Sequence, residues 1–171
     1  MSDFFAKKSA MRFLKYLLIA LMVGTLAFTF FQSSKNKEES QETSENFTQI
    51  IEPILPSDTP IGEYVQTNIR KIAHFVEFFA LGAEVATYVV LFHSKIKYAA
   101  LSLLFAPIVA LFDETIQIFS DRGPTISDVW IDVLGYYSAS VLIYLIVFLI
   151  RKLQLRLHVK GASRESLEGE V

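Results

Sequence analysis

Residues 71–90 read KIAHFVEFFALGAEVATYVV, and this stretch decides the fold. Its apolar residues run on without the strict alternation of a strand, and a helix of about 20 such residues is what a ~30 Å hydrocarbon layer requires. Beyond the Lys71 that opens it, the stretch nevertheless holds His74, Glu77 and Glu84 among its apolar residues. At about 100° per residue they share a narrow arc with Arg70, Leu81 and Tyr88, while Phe75, Phe78, Phe79, Val85 and Val89 fill the other side. The apolar side suits lipid or neighbouring helices. The polar arc suits neither lipid nor a dry core without partners.

Runs of the same kind occupy residues 13–31, 72–92, 98–119 and 129–150. The 171-residue chain is 52% hydrophobic with a mean hydropathy of +0.39, too apolar for a domain whose surface faces water. A spanning barrel would need alternating strands of about ten residues, which these continuous runs are not. The expected fold is therefore all-α: a polytopic membrane protein, a bundle of about four transmembrane helices. Having no cysteine, the chain has no disulfides, thiolate chemistry or cysteine metal sites. Its net charge of −2 says little about partners, and no nucleic-acid binding is expected, since the basic residues lie at membrane boundaries and form no continuous stripe.

Basic residues sort between alternate connections. Lys7, Lys8, Arg12 and Lys15 precede the first run, Lys95 and Lys97 join the second to the third, and Arg151, Lys152, Arg156, Lys160 and Arg164 follow the fourth. Both termini are expected in the cytoplasm. The chain then divides into an N-terminal segment with the first span (1–31), an extracytoplasmic loop (32–69), a core of three spans (70–152) and a cytoplasmic tail (153–171). The first run also has a signal-peptide pattern, with Thr25 and Ala27 as a small-x-small pair, but its apolar stretch continues through Phe31 and reads as a retained span. Residues 32–46 (QSSKNKEESQETSEN) read as a flexible linker. Three prolines at 53, 56 and 60 argue against a regular helix over 50–64.

This topology puts the polar groups of three spans at one depth. His74 and Glu77 near the start of the second span, Asp113, Glu114 and Gln117 near the end of the third, and Asp128 and Asp132 at the start of the fourth all fall in the outer half, with Glu84 nearer the middle. An ionised acid facing lipid near the centre costs about 2.5–3.5 kcal/mol. The acids are therefore expected to face each other in a polar chamber capped by the turn 120–127, with Arg70 and Arg122 as counter-charges. Acids outnumber bases there, so protonated carboxyls, a bound cation or a cationic ligand is required. Simpler roles compete at several positions. Arg70 and Lys71 suit interface anchors, Asp128 a helix N-terminus, and His74 with Glu77 a hydrogen-bonded pair as well as a metal pair. Pro107 is expected to mark a kink in the third span.

Lys71-x-x-His74-x-x-Glu77 with Leu81-Gly82, followed by Asp113-Glu114-x-x-Gln117-x-Phe119-x-x-Arg122 and by Asp128-x-x-x-Asp132-x-x-Gly135, resembles the VanZ-like family of membrane proteins. The pattern covers roughly residues 70–140. Ser120-Asp121-Arg122 stands where members of that family often have Pro-Gly-Arg, and Asp132 where they vary between Asn and Asp. The resemblance implies a multi-pass protein of the bacterial cytoplasmic membrane and cell envelope, in a family named after a member associated with reduced susceptibility to the glycopeptide teicoplanin.

Lys71, His74, Glu77, Glu84, Asp113, Glu114, Gln117, Arg122, Asp128 and Asp132 form the candidate functional set. The favoured expectation is a binding protein for a membrane lipid or lipid-linked wall precursor, recognised at an outer-leaflet polar site. The alternatives are an enzyme acting on such a lipid around a divalent metal held by Asp113, Glu114 and Asp132, and a small cation- or proton-coupled transporter. No phosphate loop, zinc spacing or nucleophile motif names a reaction or requires a cofactor.

Overall fold

The computed structural model describes residues 2–93, 95–120 and 126–168. Its helices are α1 (Ser2–Ser34), α2 (Lys37–Ile51), α3 (Pro60–Thr67), α4 (Ile69–Phe92), α5 (Ile96–Phe119) and α6 (Ile126–Glu168), with no strand among the described residues. Four of them hold segments long and apolar enough to cross a membrane: Ala6–Ser34, Ile69–Phe92, Ile96–Phe119 and Ile126–Leu157. These are the four spans the sequence predicts. The helices continue beyond the apolar runs, however. α6 passes through the basic segment from Arg151, whose residues are good helix formers.

The segment expected to be a linker is largely helical. α2 starts with a capping box: the Asn36 side chain accepts from the Glu39 backbone N–H, and Glu39 accepts from the Asn36 N–H. Gln41 donates to Glu45 one turn on. Pro60 does not break a helix but opens one, occupying the first turn of α3, where its missing N–H costs nothing, behind a Thr59 cap that accepts from Gly62 N. Glu52 ties α2 to α3 by accepting from Ser57 N, Ser57 Oγ and Gln66 Nε2. These three donors hold its carboxyl below the usual range.

The bundle is organised around α4 and α6, which start at the same end and touch through glycine. A Cβ on Gly82 would lie 2.3 Å from the carbonyl oxygen of Tyr136, and one on Gly135 would lie 2.4 Å from that of Phe75. The two helices thus meet backbone to backbone, as small residues allow within lipid. Ser140 Oγ donates to Gly82 O at 3.4 Å in the same contact. α5 closes the core with Ala106, Val109 and Ala110 against Phe78, Leu81, Val133 and Tyr136. Phe78 and Val89, on the apolar side of α4, are buried packing residues, whereas Val76 is exposed. Leu104, Ile108, Leu111, Leu134 and Phe148 also face outwards, as expected where the surrounding solvent is hydrocarbon.

Pro107 lies inside α5. Lacking an N–H, it leaves the carbonyl four residues earlier, Leu103 O, without its helical donor. Tyr137 supplies one: its hydroxyl donates to Leu103 O at 3.1 Å. The neighbouring Tyr136 hydroxyl donates to Ser102 O at 2.8 Å. In a membrane a freed carbonyl must find such a partner on an adjacent helix.

Candidate functional site

α4, α5 and α6 bring their polar residues together at the end where α4 and α6 begin, the outer end under the charge-based orientation. The close contact at Gly82 and Gly135 sets the register of α4 on α6 and carries His74 to Asp132. α5 runs the opposite way and delivers Asp113 from its last turns. His74 Nδ1 lies 3.4 Å from Asp132 Oδ1 and 3.7 Å from Asp113 Oδ2. Both aspartates are fully buried and His74 is nearly so.

Asp113 is held from two directions. Ser33 Oγ on α1 donates to its Oδ1 at 2.5 Å, and Gln117 Nε2, one turn along α5, donates to its Oδ2 at 2.8 Å. Gln117 is oriented in turn by Arg70, whose Nη2 donates to Gln117 Oε1 at 2.7 Å. Arg70 therefore acts within the cluster rather than as an interface anchor. Asp132 lacks such support: its Oδ1 has only His74 Nδ1 beside it, at 3.4 Å, and its Oδ2, like Glu77 Oε2, has no hydrogen-bond partner among the described residues.

α1 contributes a ladder of hydroxyls that the charge-centred reading of the sequence passed over. Thr25 Oγ1 donates to Glu84 Oε1 at 2.9 Å, Thr29 hydrogen-bonds Glu77, and Ser33 holds Asp113. The three positions are four residues apart and lie on one face of a helix. That spacing is the signal that could have found them.

The remaining candidates divide. Glu77 and Glu114 act electrostatically on the central residues, Glu77 on His74 and Glu114 on Asp132. Glu84 sits apart on its own Thr25 partner. Asp128 is buried but engaged by Ser127 Oγ at 3.2 Å. Lys71 is exposed and takes part in none of the cluster's hydrogen bonds described above. Arg122 and residues 121–125 of the turn expected to cap the chamber lie outside the described residues, as do the side chains of Lys160 and Arg164.

A groove of 320 Å³ reaches this cluster from the side, between α1, α2 and α4. Its lining combines apolar Phe28, Phe47, Ile72 and Val76 with polar Gln32, Lys35, Arg70, His74 and Glu77. Ser40, Thr43 and Ser44 place α2 along its rim, so the segment expected to be a linker forms part of the groove. Such an arrangement can take an amphiphile, its chain against the phenylalanines and its head toward Arg70 and His74. A family model described as VanZ/LLP1 matches residues 13–149. No curated protein and no solved structure matches the chain.

Proposed function

The chain belongs to the VanZ/LLP1 family, and from that premise we propose that this multi-pass membrane protein binds a lipid or lipid-linked wall precursor from the outer leaflet of the bacterial cytoplasmic membrane. The observation that carries the reading is the lateral groove, whose lining joins apolar Phe28, Phe47, Ile72 and Val76 to Arg70, His74 and Glu77. An Arg guanidinium and Lys35 suit a phosphate or pyrophosphate headgroup. Occupying wall precursors at the outer leaflet would alter their availability to glycopeptides, so reduced teicoplanin susceptibility is the cellular phenotype to look for.

The test is thermal stability of the purified full-length chain in detergent with added undecaprenyl phosphate, an undecaprenyl-pyrophosphate-linked disaccharide or phosphatidylglycerol. A raised melting temperature with one probe, abolished by Arg70→Ala and weakened by Glu77→Gln, supports the reading. No shift with any probe, or the same shift in both variants, overturns it. A second reading, an enzyme acting on the same lipid, is favoured by His74 standing between two carboxylates, an arrangement suited to moving a proton or holding an ion. Release of a water-soluble product from a headgroup-labelled probe distinguishes catalysis from binding.

A further inference from the structure

We propose that His74, Asp113 and Asp132 bind one divalent transition-metal ion of the Zn²⁺ or Mn²⁺ class beside the groove, which His74 lines. The proposal deepens the reading above and rests on it, because it assigns a ligand to the same cluster. One donor atom from each residue lies within 4.8 Å of the others, and the three come from three different helices. Metal–ligand bonds of about 2.0–2.2 Å put neighbouring tetrahedral ligands roughly 3.3–3.6 Å apart. His74 Nδ1 stands at 3.4 Å from Asp132 and 3.7 Å from Asp113. A simple hydrogen-bonded pair would bring these atoms to about 2.7–3.2 Å instead.

One observation points to an ion rather than an acidic cluster alone. Asp132, with 0% exposure, faces His74 Nδ1 at 3.4 Å with its Oδ1 and has its Oδ2 without a hydrogen-bond partner among the described residues. Buried atoms of this kind call for a partner. Asp113, by contrast, is held by Ser33 and by the Gln117–Arg70 chain, the sort of outer support that orients metal ligands. Charge agrees with geometry. Two carboxylates, a neutral imidazole and a dication sum to zero, which neutralises the two fully buried aspartates. Three protein donors leave a coordination position for water or a headgroup oxygen arriving along the groove.

The experiment is metal analysis of the purified full-length chain, loaded with Zn²⁺ or Mn²⁺ and then dialysed, alongside Asp132→Asn, Gln117→Ala and Glu84→Gln. One equivalent is expected in the unmodified chain and in Glu84→Gln, none in Asp132→Asn, and an affinity about 10–100-fold weaker in Gln117→Ala. Melting of each chelated protein establishes that the variants remain folded; if Asp132→Asn does not, His74→Gln takes its place. A folded, loaded chain without stoichiometric metal overturns the proposal, as does an Asp132→Asn or His74→Gln variant that retains it. Repeating the lipid titration on chelated protein separates the two readings. Lipid binding without any metal site leaves the lipid reading standing and this one refuted; a metal site without lipid binding does the reverse.

Discussion

Replacing Gly82 by alanine is expected to destabilise the bundle and weaken the outer cluster eight residues away. The new Cβ would stand 2.3 Å from the carbonyl oxygen of Tyr136 and 2.9 Å from its carbonyl carbon and Cα, all backbone atoms that no rotamer change can move. Ordinary contact begins at 3.4 Å, so α6 must retreat from α4 by about 1 Å. Overpacking of this kind costs about 1–3 kcal/mol, against a helix-propensity gain for alanine over glycine of at most about 1 kcal/mol. The net loss is up to about 2 kcal/mol. The same retreat lengthens the 3.4 Å approach of His74 to Asp132, so metal retention falls with stability. Denaturant unfolding of the detergent-solubilised chain measures the first effect and metal content the second. Gly24→Ala is the control: a Cβ there meets nothing within 4 Å, so that variant is expected to be unchanged or stabilised by up to about 1 kcal/mol. A Gly82→Ala chain as stable as the unmodified one, with its metal retained, would refute the backbone-contact argument.

Ser33→Ala should cost about 1–3 kcal/mol by leaving the buried Oδ1 of Asp113 without its donor, and Ser33→Thr should restore most of it; thermal melting reads both. Tyr137→Phe removes the donor to Leu103 O and should cost about 1–2 kcal/mol, but much less in a Pro107→Ala background, where the helix regains its own N–H; a double-mutant cycle measures the difference. The tie between α2 and α3 depends on ionised Glu52, whose folded pKa is depressed from 4.5. Its contribution is fully present above that value and lost as pH falls through the lower folded value. Exchange protection of the Ser57 amide should therefore hold at neutral pH and disappear in acid, and Glu52→Gln should flatten the response.

The spans could be read in the sequence because lipid imposes a length and a composition, and the runs at 13–31, 72–92, 98–119 and 129–150 meet both. The arc through Arg70, His74, Glu77 and Glu84 was legible for a related reason: a charge has few places to go inside hydrocarbon. Other features were hidden by ambiguity in the residues themselves. Thr25, Thr29 and Ser33 are ordinary in a transmembrane helix, and only the position of the acids on α4 and α5 turns their spacing into a ladder. Asn36-x-x-Glu39 spells a capping box, yet the low hydrophobicity of residues 32–46 outweighed it and suggested a linker. Pro60 looked like a breaker because proline's effect depends on position, being disruptive within a helix and favourable at its first turn. Which carboxylate meets His74 depends on how α4, α5 and α6 pack; the sequence grouped Glu114 with Asp113 and Asp132, whereas His74 takes that place in the structure.

The hydroxyl ladder also determines how freely the first helix can change. Only 11% of its most apolar window is buried, against 28–33% in the other three spans, so packing fixes little of its sequence. One apolar residue can replace another along most of its surface. Its register cannot slip in the same way. A single residue inserted between Thr25 and Ser33 would turn the hydroxyls on one side of the insertion by about 100° relative to those on the other. Glu84, Glu77 and Asp113 could then no longer all be served at once. The first helix should tolerate drift in composition and resist changes in length.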